Sequence, residues 1–423
     1  MGKYRFGMVL CAAAMLSGVV AMAGPVDSSL RPVSRSVEDV SGAGQISTKN
    51  AAFQRWVEGF KTRAAAKGIS RRVLNSAFRD VHYNTDVIAK DRNQSEFTKQ
   101  IWDYLDFAVS PVRVDNGKKA LRQHGRTLRA IEAKYGVDKE VVAAVWGMES
   151  TYGTRRGDFN LIEALATLSF DGRRGRFFES QLMAALKILQ SGDVNPRKMK
   201  GSWAGAMGHT QFIPTSYLAY AVDFTGDGKR DIWSDNPADA LASTAAYLAR
   251  FGWKRGQPWG VEVRLPRGFS AAAAKRDIRK MPSDWAAQGV VGIDGRPVPN
   301  HGRASILLPA GTAGAAFMIF DNFAVIEKYN KADAYVIGAG HLSDRLKGGP
   351  EIQASWPRGY DPLTFDQRME VQRRLKRKGY PLEKIDGIIG PNTVKAIRAY
   401  QSSVGAKSDG YPSQQLLQLL RSR

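Results

Sequence analysis

Glu149 is a lone carboxylate in an otherwise apolar stretch that runs from Val141 to Gly153. Asp138 is a plausible N-cap and Gly153 a plausible end, so the stretch predicts a helix. Three apolar residues share the helical face of the carboxylate: Val142, Val145 and Trp146. Burial and the negative end of the helix dipole both disfavour the ionised form of Glu149. The residue therefore has the properties of a general acid, which must hold its proton near neutral pH.

The same carboxylate also has a structural interpretation. Arg155, Arg156 or a backbone amide could cap it, and it would then only stabilise the fold. The segment by itself leaves both interpretations open.

The chain has 423 residues, a length that predicts two or three domains, and its hydrophobic content of 43% is sufficient for globular packing. One of these domains must position Glu149. The formal net charge of +22 is typical of nucleic-acid-binding proteins, but the sequence contains no nucleic-acid motif. In an exported protein, wall polymers and lipid headgroups are alternative polyanionic partners. A solvated basic surface explains the charge equally well.

The N-terminus has the order of a secretory signal. Lys3 and Arg5 precede an uncharged run from Phe6 that ends with small residues at Ala23. This predicts a signal peptide over residues 1–23, export to the periplasm and no stable membrane anchor after processing. An uncleaved anchor is the alternative, although the run is only just long enough to span a bilayer. The only cysteine, Cys11, lies in this segment, so the mature chain would have no disulfide or thiolate chemistry.

Composition divides the rest of the chain. Residues 24–50 lack helical periodicity and predict a flexible leader, and residues 51–347 predict the folded domain that contains the candidate acid Glu149. Helical patterns fill its first part, and a helix-rich segment returns at 321–346. Three segments between them alternate like strands: 261–266, 304–309 and 315–320. Residues 348–362 have the composition of a linker.

The last segment, residues 363–423, predicts three helices. Thr364 and Gln367 fit a capping box, Val371 and Leu375 mark a buried stripe, and Gly379 ends the first helix. The second predicted helix carries Val394, Ile397 and Tyr400, and the third carries Leu416, Leu417 and Leu420. This spacing resembles the three-helix peptidoglycan-binding domain of wall enzymes. A helical cap that binds nothing is the alternative.

Two separated motifs, Glu149–Gly153 and Gly201–Tyr217, together indicate a family. Gly201–Tyr217 (GSWAGAMGHTQFIPTSY) alternates small, polar and aromatic residues, and its glycines would permit close approach of a sugar to the backbone. With Glu149–Gly153 (ESTYG) it resembles the membrane-bound lytic murein transglycosylase B family, over residues 50–347. The later residues Asp223–Gly228, Tyr329–Asn330 and Tyr335 extend the resemblance.

The resemblance implies a mainly α (α+β) fold. It consists of a lysozyme-like helical catalytic core, with helical and small β-containing accessory parts, beside the C-terminal three-helix peptidoglycan-binding module. It also implies that Glu149 alone protonates the glycosidic oxygen and then deprotonates the muramoyl 6-hydroxyl, which leaves a 1,6-anhydromuramoyl end. Peptidoglycan glycan strands are the implied substrate, other cell-wall enzymes are further candidate partners, and no organic cofactor is expected.

Further site residues follow by position in the family. Ser202 and Gln211 would hold the N-acetyl and hydroxyl groups. The implied cleft-lining residues are Tyr247, Tyr329, Asn330 and Tyr335. Arg173 and Arg174 would meet carboxylates of the stem peptide, although an exposed basic turn explains them equally well. As bare residues, the tyrosines are also typical of cores and surfaces.

The acidic loop follows the calcium-loop pattern, in which oxygen ligands recur at alternate positions. The candidate ligands are Asp223, Thr225, Asp227, Lys229 through its carbonyl, and Asp231 at position nine. Ser234 stands at position twelve, where the pattern expects Glu. Closure would require Asp235 or, by resemblance, Asp239. A structural Ca²⁺ is expected, and Asx turns without metal are the alternative.

Two rival functions remain open. A hydrolytic muramidase would use the same Glu149 with an activated water, and most glycosidases use a second carboxylate. The acidic residues that could serve are Asp158, Glu163, Asp171 and Glu179. An inactive wall-binding scaffold would keep the fold without turnover.

Overall fold

The computed structural model describes residues 38–92, 100–171, 173–358, 363–387, 389–406 and 408–422. The predicted signal peptide and residues 24–37 of the predicted leader lie outside the described residues. Within the described ranges the chain is mainly helical, with two small antiparallel sheets. No helix there is both long and apolar enough to cross a lipid bilayer.

The elements are labelled in chain order. The helices are α1 (Glu38–Ala66), α2 (Arg71–Ala77), α3 (Thr85–Arg92), α4 (Ile101–Ala108), α5 (Pro111–Gln123), α6 (Gly125–Tyr135), α7 (Lys139–Ser150), α8 (Leu161–Asp171), α9 (Gly175–Ser191), α10 (Pro214–Tyr220), α11 (Ala238–Arg250), α12 (Pro282–Ala286), α13 (Asp321–Tyr329), α14 (Asp333–Leu346), α15 (Phe365–Arg377), α16 (Pro391–Ser403) and α17 (Gln414–Ser422). The strands are β1 (Phe159–Asn160), β2 (Lys200–Gly201), β3 (Gly260–Arg264), β4 (Val291–Gly292), β5 (Ser305–Leu307), β6 (Pro309–Thr312) and β7 (Ala316–Ile319).

The described residues form two compact units. The first unit contains residues 100–154 and 241–422, and the second contains residues 38–92 and 155–240. This division cuts across the predicted catalytic domain of residues 51–347. It also places the predicted linker and C-terminal module in the same unit as Glu149.

Helix α1 corrects the predicted leader. The helix begins at Glu38, so residues 38–50 are helical although their sequence has no helical periodicity. Farther along α1, Phe53, Val57 and Phe60 are buried in the second unit. Once such a packed stretch has formed, the helix can extend toward its N-terminus without a new nucleation cost, because each added residue forms one hydrogen bond.

Helix α7 carries Glu149 and has the predicted start. Asp138 stands at the N-cap position, but its carboxylate makes no capping bond. It accepts hydrogen bonds from the indole Nε1 of Trp253 at 2.9 Å and from Nζ of Lys347 at 3.2 Å. The helix ends at Ser150, before the predicted stop at Gly153, because Thr151 already has a left-handed backbone conformation.

The three predicted strand segments are confirmed as β3, β5 and β7. They form one antiparallel sheet with β4, in the order β4-β3-β7-β5. One face of this sheet packs on a local core that contains Trp285, Ile306 and Met318. The helices α13 and α14 follow the sheet directly and account for the predicted helix-rich segment.

The C-terminal module has the three predicted helices, α15 to α17. The capping box of Thr364 and Gln367 is present, and Val371 and Leu375 are buried in the module's core.

Several contacts of the module and of the segment before it are made within the first unit. Arg358 pairs with both carboxylate oxygens of Asp106, at 2.6 and 2.8 Å. The hydroxyl of Tyr411 donates to Gln100 at 2.7 Å. Arg398 donates to the carbonyl of Ala274 at 2.8 Å. The segment before the module is therefore attached through side chains, a feature that its linker-like composition does not reveal.

Candidate active site

Glu149 lies in the last turn of α7 and keeps part of its side chain accessible. Val142 and Val145 on the same face are fully buried, and Trp146 is nearly so. The hydroxyl of Tyr335, in α14, donates a hydrogen bond to Oε1 of Glu149 at 2.5 Å. Desolvation raises the pKa of Glu149 to about 8, and the bond from Tyr335 opposes part of that rise. The group is therefore mainly protonated at neutral pH and can act as an acid.

Tyr335 itself cannot give up its proton near neutral pH. Burial, and next the charge of Glu149, hold the pKa of its phenol well above the usual value. The hydroxyl therefore acts as a fixed donor that orients the carboxyl group. Tyr104 of α4 is a neighbour that the sequence did not indicate. Burial and then the charge of Glu149 raise the pKa of Tyr104 as well.

The backbone after Glu149 is strained. Thr151 and Tyr152 have φ values of 51° and 56°, which non-glycine residues rarely adopt. The hydroxyl of Tyr152 donates to the carbonyl of Arg113 at 3.0 Å, and its ring packs edge-on against Trp146. These contacts hold the strained turn, and such strain is concentrated at functional sites.

Two further candidates, Tyr329 and Asn330, lie where α13 ends and the turn to α14 begins. Tyr329 and Asn330 are mostly buried, and the ring of Tyr247 packs edge-on against Tyr329. The hydroxyl of Tyr247 donates to the carbonyl of Lys328 at 2.6 Å. Tyr247 is thus a buried support of this turn, and its cleft-lining role stays a prediction.

Arg276 fastens the same turn, and sequence reasoning did not identify it. Its guanidinium forms ion pairs with Glu327 near the end of α13 and with Asp333 at the start of α14. It also lies 5.0 Å from the ring centroid of Phe323. The two carboxylates flank the Tyr329–Asn330 pair in sequence, but no pattern indicates that they share an arginine that precedes them by 51 and 57 residues.

In the second unit, Gln211 is 7% exposed and has a left-handed backbone with φ of 52°. Its Nε2 donates to the carbonyls of Arg156 at 3.1 Å and Gly208 at 2.8 Å. Since both N–H groups are used, the amide oxygen is the part of Gln211 that remains to accept a bond from a ligand. The Oγ of Ser202 accepts from the amide of Ala206 at 3.0 Å and so shapes the loop.

Two glycines of the Gly201–Tyr217 motif are explained by backbone packing, whereas the sequence predicted close approach of a sugar. A Cβ on Gly208 would lie 2.3 Å from the carbonyl oxygen of Ile232, and one on Gly201 would lie 2.2 Å from that of Ala206. Both glycines are therefore required for packing of backbone against backbone. Close approach of a sugar is not needed to explain them.

The basic candidates already have protein partners. Arg173 donates to the buried carboxylate of Asp91 through Nε at 2.8 Å, and Arg174 lies 3.4 Å from the same carboxylate. This arrangement favours the structural interpretation of the pair. Arg156, proposed above as a cap for Glu149, donates instead to Asp235 at 2.8 Å.

The acidic loop brings together Asp223, Asp227 and Asp239, with one oxygen of each lying within 4.8 Å of the others. Asp239 therefore closes the loop, and Asp235 is engaged by Arg156. Asp239 also accepts from the amides of Phe224 and Asp231, at 2.9 and 3.0 Å. Three convergent carboxylates offer the hard oxygen ligands that Ca²⁺ prefers, so the residues fit that ion.

The mainly helical fold places the chain in the lysozyme-like class of proteins, as its similarity to solved structures shows. Within this class, the chain belongs to the transglycosylase SLT family, whose model matches residues 52–344. A peptidoglycan binding domain model matches residues 366–420.

Solved structures of the family are similar over most of the chain. SltB3 from Pseudomonas aeruginosa, solved with NAG-anhNAM-pentapeptide and with NAG-NAM-pentapeptide, is 50% identical with a TM-score of 0.84, over 87% of this chain and 99% of that one. Escherichia coli Slt35, solved in complex with calcium, is 30% identical with a TM-score of 0.59, over 70% of this chain and 93% of that one.

A relative from Escherichia coli is also a lytic murein transglycosylase. The membrane-bound lytic murein transglycosylase B of Escherichia coli (strain K12) is 35% identical over 245 residues, which are 56% of this chain. The chain spans 65% of the length of that relative. It is therefore homologous to lytic murein transglycosylases.

Proposed function

We propose that this protein is a lytic transglycosylase that cleaves the β-1,4 bond between MurNAc and GlcNAc in peptidoglycan and leaves 1,6-anhydromuramoyl ends. The observation that carries the proposal is the carboxyl group of Glu149, whose pKa of about 8 leaves it protonated at neutral pH beside the donor Tyr335. The family membership and the NAG-anhNAM-pentapeptide bound by SltB3 support the reaction type.

Each proton in the reaction passes through Glu149. The acid form protonates the glycosidic oxygen as the bond to the anomeric carbon of MurNAc breaks. The resulting carboxylate accepts the proton of the muramoyl 6-hydroxyl, whose oxygen attacks the anomeric carbon. One carbon–oxygen bond is broken and one is formed, no water is consumed, and Glu149 regains its proton. The bond from Tyr335 stabilises the carboxylate during the interval in which it is charged.

Hydrolysis by the same acid would require an activated water, usually through a second carboxylate. Three of the four acidic candidates are already bound in the second unit. Glu163 accepts from Asn84 at 2.7 Å, Asp171 pairs with Lys49 at 3.3 Å, and Glu179 pairs with Arg63 at 3.1 Å. Asp158 has no such partner among the described residues and is the candidate to test.

Digestion of purified sacculi, with mass analysis of the products, tests the proposal. Wild-type protein should release fragments with anhydro ends, which are lighter by one water than hydrolytic products. Asp158→Asn should keep this activity, whereas Glu149→Gln should lose it. Reducing ends from the wild type would establish a muramidase. The absence of any release would establish a wall-binding scaffold.

The remaining site residues take binding roles. The amide oxygen of Gln211 accepts a bond from an N-acetyl or hydroxyl group of the glycan, and Ser202 shapes the loop that carries this contact. Tyr329 and Asn330 contact the sugar bound at Glu149. Binding of a non-cleavable glycan should weaken in Gln211→Ala and remain in Tyr247→Phe, which loses a hydrogen bond to the backbone carbonyl of Lys328.

The acidic loop would hold Ca²⁺ as a structural ion. Asp223, Asp227 and Asp239 would supply carboxylate oxygens, and the calcium-loop pattern adds Thr225 and the carbonyl of Lys229 as ligands. The calcium complex of Slt35 supports this assignment. A bound ion would neutralise the repulsion among the carboxylates, and the proposed reaction uses Glu149 alone.

The protein acts in the periplasm after export through its N-terminal segment, and its C-terminal module binds the wall. The match of that module to a peptidoglycan binding domain supports this role. Fractionation of cells and pull-down with sacculi test both statements. Material retained in the cytoplasm, or a module that does not pull down, would contradict them.

A further inference from the structure

A shallow cleft of about 760 Å³ lies in the first unit at the junction of α5, α6 and the start of α7. Its charged lining residues are Arg122, Arg126, Arg129, Lys139 and Glu140. The cleft is at one end of α7 and Glu149 is at the other. Nine residues separate Glu140 from Glu149, which corresponds to roughly 13 Å along the helix axis.

The arginines of the cleft differ from its lysine. Lys139 forms ion pairs with Glu140 at 2.8 Å and Glu132 at 3.8 Å. Arg122, Arg126 and Arg129 are exposed, and none has an ion-pair partner among the described residues. The cleft therefore presents three guanidinium groups that form no ion pair among the described residues.

This arrangement is unfavourable for the fold itself. Arg126 stands in the first turn of α6, where the helix dipole disfavours a cation and where no acidic residue is present. Arg126 and Arg129 are three residues apart on one helix and repel each other. A guanidinium nitrogen of Arg129 lies 3.2 Å from the point where a Cβ on Gly125 would stand, so the absent side chain leaves room for that group.

We propose that this cleft binds the carboxylates of peptidoglycan stem peptides, an inference that rests on the proposed function. Guanidinium groups bind carboxylates through paired hydrogen bonds. A concave cleft suits a peptide chain, whereas a flat lipid surface does not insert into it. The pentapeptide carried by the fragments bound to SltB3 extends to roughly 17 Å, which is longer than the distance along α7 between Glu149 and the cleft.

The test compares two triple variants of the full chain. The first combines Arg122→Ala, Arg126→Ala and Arg129→Ala, which removes the three guanidinium groups from the cleft. Three exposed arginines elsewhere provide a control with the same change in net charge: Arg71→Ala, Arg72→Ala and Arg79→Ala. Both are made in the Glu149→Gln background, so that binding of a disaccharide-pentapeptide and of the peptide-free disaccharide can be measured without turnover.

The cleft triple should weaken disaccharide-pentapeptide binding by at least ~10-fold, the loss expected for one charge-assisted contact. Binding of the peptide-free disaccharide should not change, and the control triple should match the parent for both ligands. Because repulsion is relieved, the melting temperature of the cleft triple should be equal to or above that of the parent. This measurement separates lost binding from lost folding.

Equal affinity of the parent and the cleft triple for the pentapeptide fragment would overturn the proposal. So would an equal loss for both ligands, which would indicate a general charge effect. Vesicles containing anionic phospholipid provide a third arm. Cleft-dependent binding to vesicles, with unchanged fragment binding, would assign the arginines to a lipid surface. These outcomes are independent of the proposed reaction, which is judged by the anhydro ends that the wild-type protein releases.

Discussion

The hydroxyl of Tyr335 lies 2.5 Å from Oε1 of Glu149, although 186 residues separate the two in the chain. The phenol holds its proton because its pKa lies well above the usual value, so the hydrogen bond always runs from tyrosine to glutamic acid. Burial of the carboxyl group raises its pKa and this bond lowers it, and the balance is a pKa of about 8. One acid can therefore give a proton and take it back near neutral pH.

Glu149→Gln should lower the rate of muropeptide release by a factor of at least ~100, the lower range for general acid–base catalysis. Glutamine keeps the size of the side chain and can still accept from Tyr335, but it cannot transfer a proton. Pull-down with sacculi should be unchanged. A turnover close to that of the wild type would show that another group supplies the proton.

The same substitution should change how stability depends on pH. The folded-state pKa of Glu149 is about 8, against a usual value of 4.5. Between these values the folded state binds the proton more tightly, so wild-type stability falls as pH rises through this window. The upper limit is roughly 4 to 5 kcal/mol at 1.4 kcal/mol per pKa unit.

Glutamine has no such titration. The variant should melt at nearly the same temperature as the wild type at pH 5 and at a clearly higher temperature at pH 9. A difference in melting temperature that is constant with pH would mean that the carboxyl group titrates normally.

Tyr335→Phe should raise the pKa of Glu149 further, because desolvation remains and the opposing hydrogen bond is lost. A hydrogen bond to a charged group contributes about 1.5–3 kcal/mol, so the alkaline limb of the kcat/KM profile should move up by roughly one to two pH units. Turnover at pH 7 should fall, because the carboxyl group loses its orienting contact.

Tyr400→Phe is the matched control, since Tyr400 is as deeply buried and its hydroxyl donates to the carbonyl of Leu419 at 2.8 Å. Its pH profile should equal that of the wild type. An unshifted alkaline limb in Tyr335→Phe would mean that the tyrosine does not set the acidity of Glu149.

Arg276→Ala should lower kcat by releasing the ends of α13 and α14 that Glu327 and Asp333 fasten. The turn between these ends leads to Tyr335. Arg276→Lys keeps one charge but cannot bridge both carboxylates, so it should restore only part of the rate. Steady-state kinetics on soluble glycans measure both variants.

Arg279→Ala provides the comparison. Arg279 is three residues away and pairs with Asp321, at the start of α13 and far from the turn. It should retain the wild-type kcat. If both alanine variants lose activity equally, the effect comes from general loosening of α13.

The sequence identified Glu149 because one charge on an apolar helical face conflicts with local propensity. Local signals also located three of the four strands of the larger sheet and the capping box of the C-terminal module. Tyr335 was reached only through family resemblance, because a buried tyrosine in a helix has the pattern of any core aromatic.

Contacts that depend on long-range folding gave no local signal. The ion pairs of Arg276 with Glu327 and Asp333, and that of Arg358 with Asp106, each join distant segments. Charged residues of these types usually lie on the surface, so the sequence does not indicate such pairs. The N-terminal part of α1 was missed for a related reason. Its residues carry no helical pattern, and the helix extends from a packed stretch that lies later in the sequence.

Calcium at millimolar concentration should raise the melting temperature of the protein. Asp223, Asp227 and Asp239 repel one another at close range when no ion is bound, and an ion that binds only the folded loop adds stability with its occupancy. Magnesium should do so less, because its smaller octahedral shell fits an all-protein cage poorly. Turnover at low temperature should change little, since Glu149 does not use the ion.

Asp227→Ala should abolish the calcium-dependent shift. Asp294→Ala is its control, because both aspartates are exposed and each accepts a bond from the amide two residues later, at 2.9 Å in Asp227 and 3.0 Å in Asp294. Only Asp227 also lies among other carboxylates. The control should therefore lose the same turn and keep the full calcium response. Identical melting curves for the wild type in chelator and in calcium would show that backbone amides alone hold the loop.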